Sequence, residues 1–172
     1  MSRKVLLVCL LIIFLVIVFA KCTRPPSETK PQAQVGYEAP TFKLRDLKGK
    51  EVSLEQFRGK IVMLDFWATW CRPCRMTMPL LEKLQREYPN DMILLAINLQ
   101  ESNSEVRDYV RQQNVNSEVL LDEEGSVGEA YGTESIPMEY LIDQRGVVRH
   151  IQVGLGPQTI SQLRNQIEKL RN

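Results

Sequence analysis

The chain has 172 residues, of which 44% are hydrophobic and 25% charged, and its formal net charge at pH 7 is +1. Such a balance gives no basic excess that would indicate nucleic-acid binding and no acidic excess that would indicate a solvating tail. With one His and four Cys, a multi-ligand metal site is hard to assemble. The length suits one globular domain with a further segment attached.

The N-terminal segment contains an unbroken apolar run, VLLVCLLIIFLVIVFA, over residues 5–20. As a helix the run would extend about 24 Å, slightly less than the ~30 Å hydrocarbon core of a bilayer. A cleaved signal peptide has the same anatomy, but no small-residue cleavage pattern follows, and Lys21 precedes Cys22. We therefore predict a membrane anchor or signal segment over residues 1–22. Lipid attachment at Cys22 is the competing interpretation.

The next segment, TRPPSETKPQAQV over residues 23–35, is Pro-rich and polar, which predicts an extended linker. The remaining residues 36–172 are predicted to form the folded domain. Because a long C-terminal part that follows a signal-like start is usually exported, we expect this domain outside the cytoplasm, on the periplasmic or outer side of the cytoplasmic membrane.

Within the domain, strand and helix patterns alternate. APTFKLRDLKGKEVSL predicts a β-hairpin, KIVMLDFWA a strand buried on both faces, and residues 73–88 a helix kinked at Pro79. There follow a buried strand in DMILLAINL, a helix capped by Ser102 or Ser104, a short strand in SEVLLD and a helical turn in GSVGEAYG. A hairpin of MEYLID with VVRHIQVG and a C-terminal amphipathic helix complete the chain. This order predicts an α/β fold with a mostly parallel central sheet, antiparallel edge strands and helices on both faces.

The motif DFWATWCRPC places Cys71 and Cys74 two residues apart, directly after an apolar run. A structural zinc site would need four ligands, whereas the other two cysteines lie in or beside the apolar N-terminal run and His150 lies on a late strand. A structural disulfide here would close a very small loop and remove little entropy from the unfolded chain. Thiol-disulfide exchange is the chemistry that this spacing favours.

The position of Cys71 suits a nucleophile. If it lies at the N-terminus of the helix that contains Pro73, its sulfur faces unpaired backbone N–H groups and the positive end of the helix dipole, which lowers the pKa of the thiol. Cys74 would lie one turn further on, more buried but within reach, and could resolve a mixed disulfide formed by Cys71. Arg72 adds positive charge, but an effect of about one pKa unit changes the potential by only about 30 mV. The direction of exchange therefore stays open.

These residues resemble the active-site segment of thioredoxin-fold proteins. From APTFKLRDLKGKEVSL to YGTESIPMEYLIDQRGVVRHIQVG, the chain resembles the membrane-anchored thiol-disulfide oxidoreductases of the TlpA/ResA type, over about residues 36–170. The resemblance implies a thioredoxin-like fold: a central mixed sheet flanked by helices, with an N-terminal β-hairpin and an extra inserted helix near residues 106–113, both of which plain thioredoxins lack.

The resemblance also implies roles for particular residues. Cys71 would be the nucleophile and Cys74 the resolving thiol, and the peptide bond between Ile136 and Pro137 would be cis, although most X–Pro bonds are trans. The cis bond would expose backbone groups that pair with a substrate strand. The residues expected to contact substrate are Trp70, Arg72, Pro73, Ile136 and Pro137.

Asp65 lies where thioredoxins carry a buried acid beneath the resolving cysteine, whereas many TlpA/ResA-like proteins have Asn there. A carboxyl on a buried strand should have a raised pKa and could relay a proton to or from Cys74. The alternative is a hydrogen-bonded structural Asp. We count Asp65 with Cys71 and Cys74 as a catalytic residue.

Other positions near the motif are given simpler roles. Thr77 replaces a Glu that the ResA type usually carries near the thiols, and Asp65 could partly substitute for it. Trp67 is expected in the core. Glu134 and Glu139 flank the proline loop and are interpreted as exposed loop charges.

The resemblance implies an extracytoplasmic enzyme that reduces cysteine pairs of exported proteins such as apocytochrome c, and that is itself reduced by a membrane protein of the CcdA/DsbD kind. We expect a membrane-anchored monomer with no nucleic-acid partner and no cofactor or metal beyond a redox-active Cys71–Cys74 disulfide. The alternatives are a peroxiredoxin-type peroxidase, which needs a proline before its cysteine that DFWATWC lacks, and a Sco-like copper-binding module, which needs wider cysteine spacing and a well-placed His.

Overall fold

The computed structural model describes residues 32–171. The predicted anchor over residues 1–22 and most of the predicted linker lie outside the described residues, so these two assignments and the domain boundary at residue 36 stay predictions. Between residues 32 and 171, no helix is long and apolar enough to cross a membrane.

The predicted elements are all present, with small shifts at their ends. The strands are β1 (Lys43–Asp46), β2 (Glu51–Ser53), β3 (Ile61–Trp67), β4 (Met92–Leu99), β5 (Glu118–Asp122), β6 (Met138–Ile142) and β7 (Val148–Val153). The helices are α1 (Arg72–Glu87), α2 (Asn103–Gln113), α3 (Ser126–Tyr131) and α4 (Thr159–Arg171), with a 3-10 turn over Leu54–Phe57.

The strands form one mixed sheet in the order β2-β1-β5-β4-β3-β6-β7. The pairs β3–β4 and β4–β5 are parallel, and the pairs β1–β2, β1–β5, β3–β6 and β6–β7 are antiparallel. The prediction of a mostly parallel sheet was therefore wrong, while the mixed sheet flanked by helices is confirmed. The reason is that a hairpin joins the parallel centre at each side, and the N-terminal hairpin pairs with β5 through a contact distant in sequence.

Strand β3 has all seven residues buried because both faces of the sheet are covered. On one face Val62, Leu64 and Phe66 pack in a core that includes residues of α3. On the other face Ile61 and Met63 pack in a core with apolar residues of α1 and α4, namely Leu81, Leu84, Leu163 and Ile167. The alternation of β3 thus places its odd-numbered residues beneath α1.

Helix α2 begins at a capping box. The Ser102 side chain accepts a hydrogen bond from the backbone N–H of Glu105, and the Glu105 side chain accepts one from the backbone N–H of Ser102. Ser102, and not Ser104, is therefore the cap. The helix is tied to the active-site strand by an aromatic contact, with the rings of Tyr109 and Trp67 5.3 Å apart.

The first described residues pack on the domain. Ala33 is buried, and its backbone N–H donates to the carbonyl of Ala130 at 3.2 Å. Further along, the backbone N–H of Gly36 donates to the carbonyl of Val148 at 2.8 Å. Ala33 and Gly36 are thus held to the domain by backbone hydrogen bonds.

Candidate active site

Cys71 and Cys74 form a disulfide at the N-terminus of α1. Cys71 is the N-cap residue of the helix, and the backbone N–H of Cys74 donates to Cys71 Sγ at 3.2 Å. Pro73 lies in the first turn, where its missing N–H costs the helix nothing. When the disulfide is reduced, the N–H groups and dipole of the helix favour the thiolate of Cys71 over its thiol.

The disulfide is covered, but the surface beside it is open. Cys71 is 3% exposed and Cys74 1%. Both pack in a small apolar cluster with Trp67 and Met78, which confirms the prediction that Trp67 belongs to the core. In contrast, Trp70 is 71% exposed, and Arg72 and Pro73 are also exposed. The indole of Trp70 is therefore exposed to solvent directly beside Cys71, a position from which it can contact a bound partner.

The proline loop lies at the same end of the sheet. The bond between Ile136 and Pro137 is cis, as the resemblance implied, and Ile136 packs against the cluster that holds the two cysteines. The Pro137 carbonyl accepts a hydrogen bond from the backbone N–H of Gly154 at 2.8 Å. An open cavity of about 630 Å³ lies between this loop and the CxxC loop, lined by Trp70, Leu99, Gln100, Thr133, Glu134, Ser135 and Ile136.

Glu101 positions the loop that precedes Cys71, a role that the sequence interpretation missed. Its carboxylate accepts hydrogen bonds from the backbone N–H of Thr69 and from the Asn98 amide, both at 2.7 Å, and also from the Thr69 hydroxyl. The sequence did offer a signal for this role. Glu101 comes just after β4, and the carboxyl ends of the parallel neighbours β3 and β4 meet at one edge of the sheet, where the loop before Cys71 also begins.

Asp65 lies in the middle of β3 and is fully buried. It shares a face with its neighbours Met63 and Trp67, which pack in the two clusters formed with α1, so Asp65 lies beneath the first turns of that helix. Neither carboxylate oxygen has a hydrogen-bond partner. Burial raises the pKa of Asp65 to about 7.

Glu139 corrects the prediction of an exposed loop charge. It lies on β6 with 0% of its surface exposed, and it is the cross-strand partner of Asp65. Burial and the nearby Asp65 carboxyl raise the pKa of Glu139 to about 9. The prediction failed because Glu139 was assigned to the loop, whereas β6 starts directly after Pro137 and is covered on both faces. Glu134 is exposed, as expected.

Thr77, at the position of the family's Glu, is also buried, and its hydroxyl donates to the Pro73 carbonyl within α1 at 3.0 Å. It therefore offers no ionisable group to the disulfide. Among residues 32–171, no group of three or more His, Cys, Asp or Glu is placed to hold a metal ion.

A disulfide at the start of a helix, next to a cis-proline loop on a mixed sheet, defines a thioredoxin-like thiol-disulfide oxidoreductase. The model of the AhpC/TSA family matches residues 35–151. The chain is 40% identical over 124 residues to the thioredoxin-like protein YneN of Bacillus subtilis, covering 70% of this chain and 72% of that protein. It is 36% identical over 138 residues to the thiol-disulfide oxidoreductase ResA of Bacillus thuringiensis, covering 80% and 79%.

Solved structures agree with this classification. A crystal structure assigned to the thiol:disulfide interchange protein DsbE of Chlorobium tepidum superposes with a TM-score of 0.77 and 31% identity, covering 82% of this chain and all of that one. StoA of Bacillus subtilis superposes with a TM-score of 0.62 and 25% identity, covering 74% and 96%. The chain belongs to the AhpC/TSA family and, within it, to the thioredoxin-like thiol-disulfide oxidoreductases related to ResA.

Proposed function

We propose that this oxidoreductase acts outside the cytoplasm as a reductant of cysteine pairs in exported proteins, with apocytochrome c as the substrate class. The observation that carries the proposal is the Cys71–Cys74 disulfide at a helix N-terminus, with an exposed indole beside it. The names of relatives such as ResA and DsbE support the same type of reaction.

The reaction has two exchange steps. In the reduced enzyme, the Cys71 thiolate attacks a substrate disulfide, which forms a mixed disulfide and releases one substrate thiolate. Cys74 then loses its proton and attacks Cys71 Sγ, which restores the Cys71–Cys74 disulfide and releases the second substrate thiolate. Two electrons pass to the substrate, and each released thiolate takes up a proton. Asp65, buried beneath the first turns of α1, is the base that we assign to Cys74.

The substrate contacts follow from the exposed surface around the sulfurs. Trp70, Arg72 and Pro73 present the CxxC loop to a partner. Ile136 lines the opposite wall of the cavity, and the loop that contains the cis bond to Pro137 would pair with an extended substrate segment. The cavity of about 630 Å³ between the two loops would receive side chains that flank the substrate cysteine.

The location and the electron source complete the proposal. The apolar run over residues 5–20 would hold the domain at the membrane, with residues 23–35 as the linker. There a membrane thiol reductant of the CcdA/DsbD kind would return the enzyme to its dithiol form. No further cofactor enters the reaction, because the two sulfurs carry both electrons.

Two cysteine variants test the proposed chemistry. Cys71→Ser should abolish reduction of insulin disulfides by dithiothreitol, and retained activity would contradict the proposal. Cys74→Ser should stop after the first exchange, so that mixed disulfides with the physiological substrate accumulate and can be identified by mass spectrometry. Peroxide consumption with a thiol donor at a rate above insulin reduction would favour a peroxidase instead.

The equilibrium potential of the Cys71–Cys74 couple tests the direction. A value near that of thioredoxin, about −270 mV, supports a reductant, whereas one near that of DsbA, about −120 mV, would make the protein an oxidant. Equilibration of the full-length chain with glutathione or dithiothreitol buffers, followed by alkylation of free thiols, gives the value directly.

A further inference from the structure

Asp65 and Glu139 are directly opposed on neighbouring strands. In the antiparallel pair of β3 with β6 they are register partners, and such partners have Cβ atoms about 4.5–5.5 Å apart on one face of the sheet. Both side chains are fully buried. Within residues 32–171, no hydroxyl or amide group donates a hydrogen bond to any of their four carboxylate oxygens. Two buried, unpartnered carboxyls side by side cannot both be ionised without a large cost, so they must retain a proton between them.

The groups that face this pair offer no compensating cation. On β4 the partner of Asp65 is Ala96, and on β7 the partner of Glu139 is the uncharged Gln152. From α4, Leu163 and Ile167 face the same side of the sheet. Titratable groups on that side include the two cysteines and Tyr88 of α1 and Tyr109 of α2, which pack in the two clusters beside Asp65. They also include His150 of β7, whose pKa is lowered mainly by burial.

We propose that Glu139 is a positioning residue that acts through Asp65: its protonated carboxyl donates to the Asp65 carboxylate and so keeps Asp65 available as the base for Cys74. This inference rests on the exchange chemistry assigned above to Cys71 and Cys74. During resolution of a mixed disulfide, the proton leaves the Cys74 thiol, binds Asp65, and makes both members of the pair neutral. When the disulfide is reduced again, the same proton returns to the Cys74 sulfur.

The raised pKa values support Asp65 as the base and Glu139 as the hydrogen-bond donor. Burial raises the pKa of Asp65 to about 7, and burial together with the Asp65 charge raises the pKa of Glu139 to about 9. Between these values the pair carries one negative charge, with Asp65 able to accept a proton and Glu139 able to donate one. The two ionisations belong to the pair, because groups this close titrate together.

The test uses the full-length reduced protein and the chromogenic disulfide DTNB, which separates the two exchange steps in one trace. The first release of thionitrobenzoate reports attack by Cys71, and the second reports attack by Cys74.

For the wild type, the rate of the second phase should rise with pH about a midpoint near 7, the pKa of Asp65. Glu139→Leu removes the donor and should move that midpoint up by about one unit, so that the second phase is about fivefold slower at pH 7. Glu139→Gln, which keeps a donor, should retain the wild-type midpoint.

Two controls separate this inference from the function on which it rests. Cys71→Ser should abolish both phases, and if it does not, the exchange chemistry itself is wrong. In an Asp65→Asn background, Glu139→Leu should have no further effect on the second phase, because the two residues act as one unit. A Glu139→Leu protein that keeps the wild-type midpoint overturns the inference, as does an equal shift in Glu139→Leu and Glu139→Gln.

If Glu139→Leu does not fold, the titration of Asp65 itself gives the answer. With ¹³C-labelled carboxyl groups, the wild-type oxidised protein should show an Asp65 resonance that responds to two coupled ionisations. Glu139→Gln should leave a single step. An Asp65 resonance that titrates in the same way in both proteins would overturn the inference.

Discussion

The carboxylate of Glu101 holds the backbone N–H of Thr69, two residues before Cys71, at a distance of 2.7 Å. It also accepts hydrogen bonds from the Thr69 hydroxyl and the Asn98 amide, so three donors converge on one side chain. The loop that leads into the CxxC motif is thereby fixed to the end of β4. The position of the Cys71 sulfur therefore depends on Glu101, 30 residues further along the sequence.

Glu101→Ala should therefore lower both activity and stability. The part-buried N–H of Thr69 loses its partner, which costs about 1–3 kcal/mol, and the loop before Cys71 becomes free to move. We expect insulin reduction to slow several-fold and the urea midpoint to fall. Glu123→Gln, an exposed acid after β5, is the matched control and should change neither. Wild-type rates in Glu101→Ala would show that the loop is held by other contacts.

Trp70 should matter for protein substrates more than for small ones. Its side chain is 71% exposed, so its removal costs little stability, but a docking aromatic residue typically contributes about 1–2 kcal/mol to binding. We expect Trp70→Ala to reduce kcat/KM for insulin about tenfold and to leave the rate with DTNB within about twofold. Leu80→Ala provides a control, since Leu80 is a further exposed apolar residue on α1. Equal losses with both substrates would point to a disturbed disulfide instead of lost docking.

The buried carboxyls should make the oxidised protein less stable as the pH rises. Burial raises the pKa of Asp65 from 3.8 to about 7 and that of Glu139 from 4.5 to about 9. The native state then binds more protons than the unfolded chain, so the free energy of unfolding falls as pH rises above about 4. The loss is complete near pH 7 for Asp65 and near pH 9 for Glu139, and shifts of this size correspond to on the order of 5 kcal/mol for each carboxyl.

Urea unfolding at pH 5 and pH 8.5 measures this loss. Glu139→Gln should show a smaller decrease than the wild type, because Gln does not have to take up a proton when the chain folds. Glu134→Gln changes a neighbouring exposed carboxyl and should decrease as the wild type does. A wild-type protein equally stable at both pH values would mean that the pair is solvated or compensated in solution.

Tyr131 should affect stability without affecting catalysis. Its hydroxyl donates to the Pro40 carbonyl at 2.8 Å, and its ring packs 5.3 Å from Phe66 and 5.0 Å from Tyr140, on the face of the sheet opposite α1. Tyr131→Phe keeps the packing and removes the hydrogen bond, so we expect a cost of about 1 kcal/mol. Insulin reduction measured well below the unfolding temperature should stay at the wild-type rate, and a loss there would connect this face to the active site.

Local patterns in the sequence predicted the elements well because each strand and helix here has a clear period or a clear cap. The seven apolar or aromatic positions around Asp65 indicated a strand covered on both faces, and Ser102 or Ser104 indicated a helix start. The pairing of β1 with β5 could not be predicted in the same way, since it joins Arg45 to Leu121 across most of the domain. Local periodicity contains no information about such a partner.

The site was predictable where the motif itself carries the chemistry. Only two residues separate Cys71 from Cys74, so the sequence alone indicates that the two thiols can pair. Glu139 was missed because its burial depends on register: the pairing that places it opposite Asp65 is a property of two strands, not of either alone. One signal was present, however, because Glu139 is two residues before the apolar Leu141 on a predicted strand, and alternate residues of a strand share a face.

The packing of Ala33 on Ala130 has a practical consequence for anyone preparing a shortened form of the protein. Trimming the N-terminus back to Gly36 would strip a backbone hydrogen bond and a buried methyl group from the side of the sheet opposite α1. The apolar surface left exposed by the loss of Ala33 would promote self-association in concentrated samples. Fragments intended for crystallisation or NMR should begin upstream of Gln32.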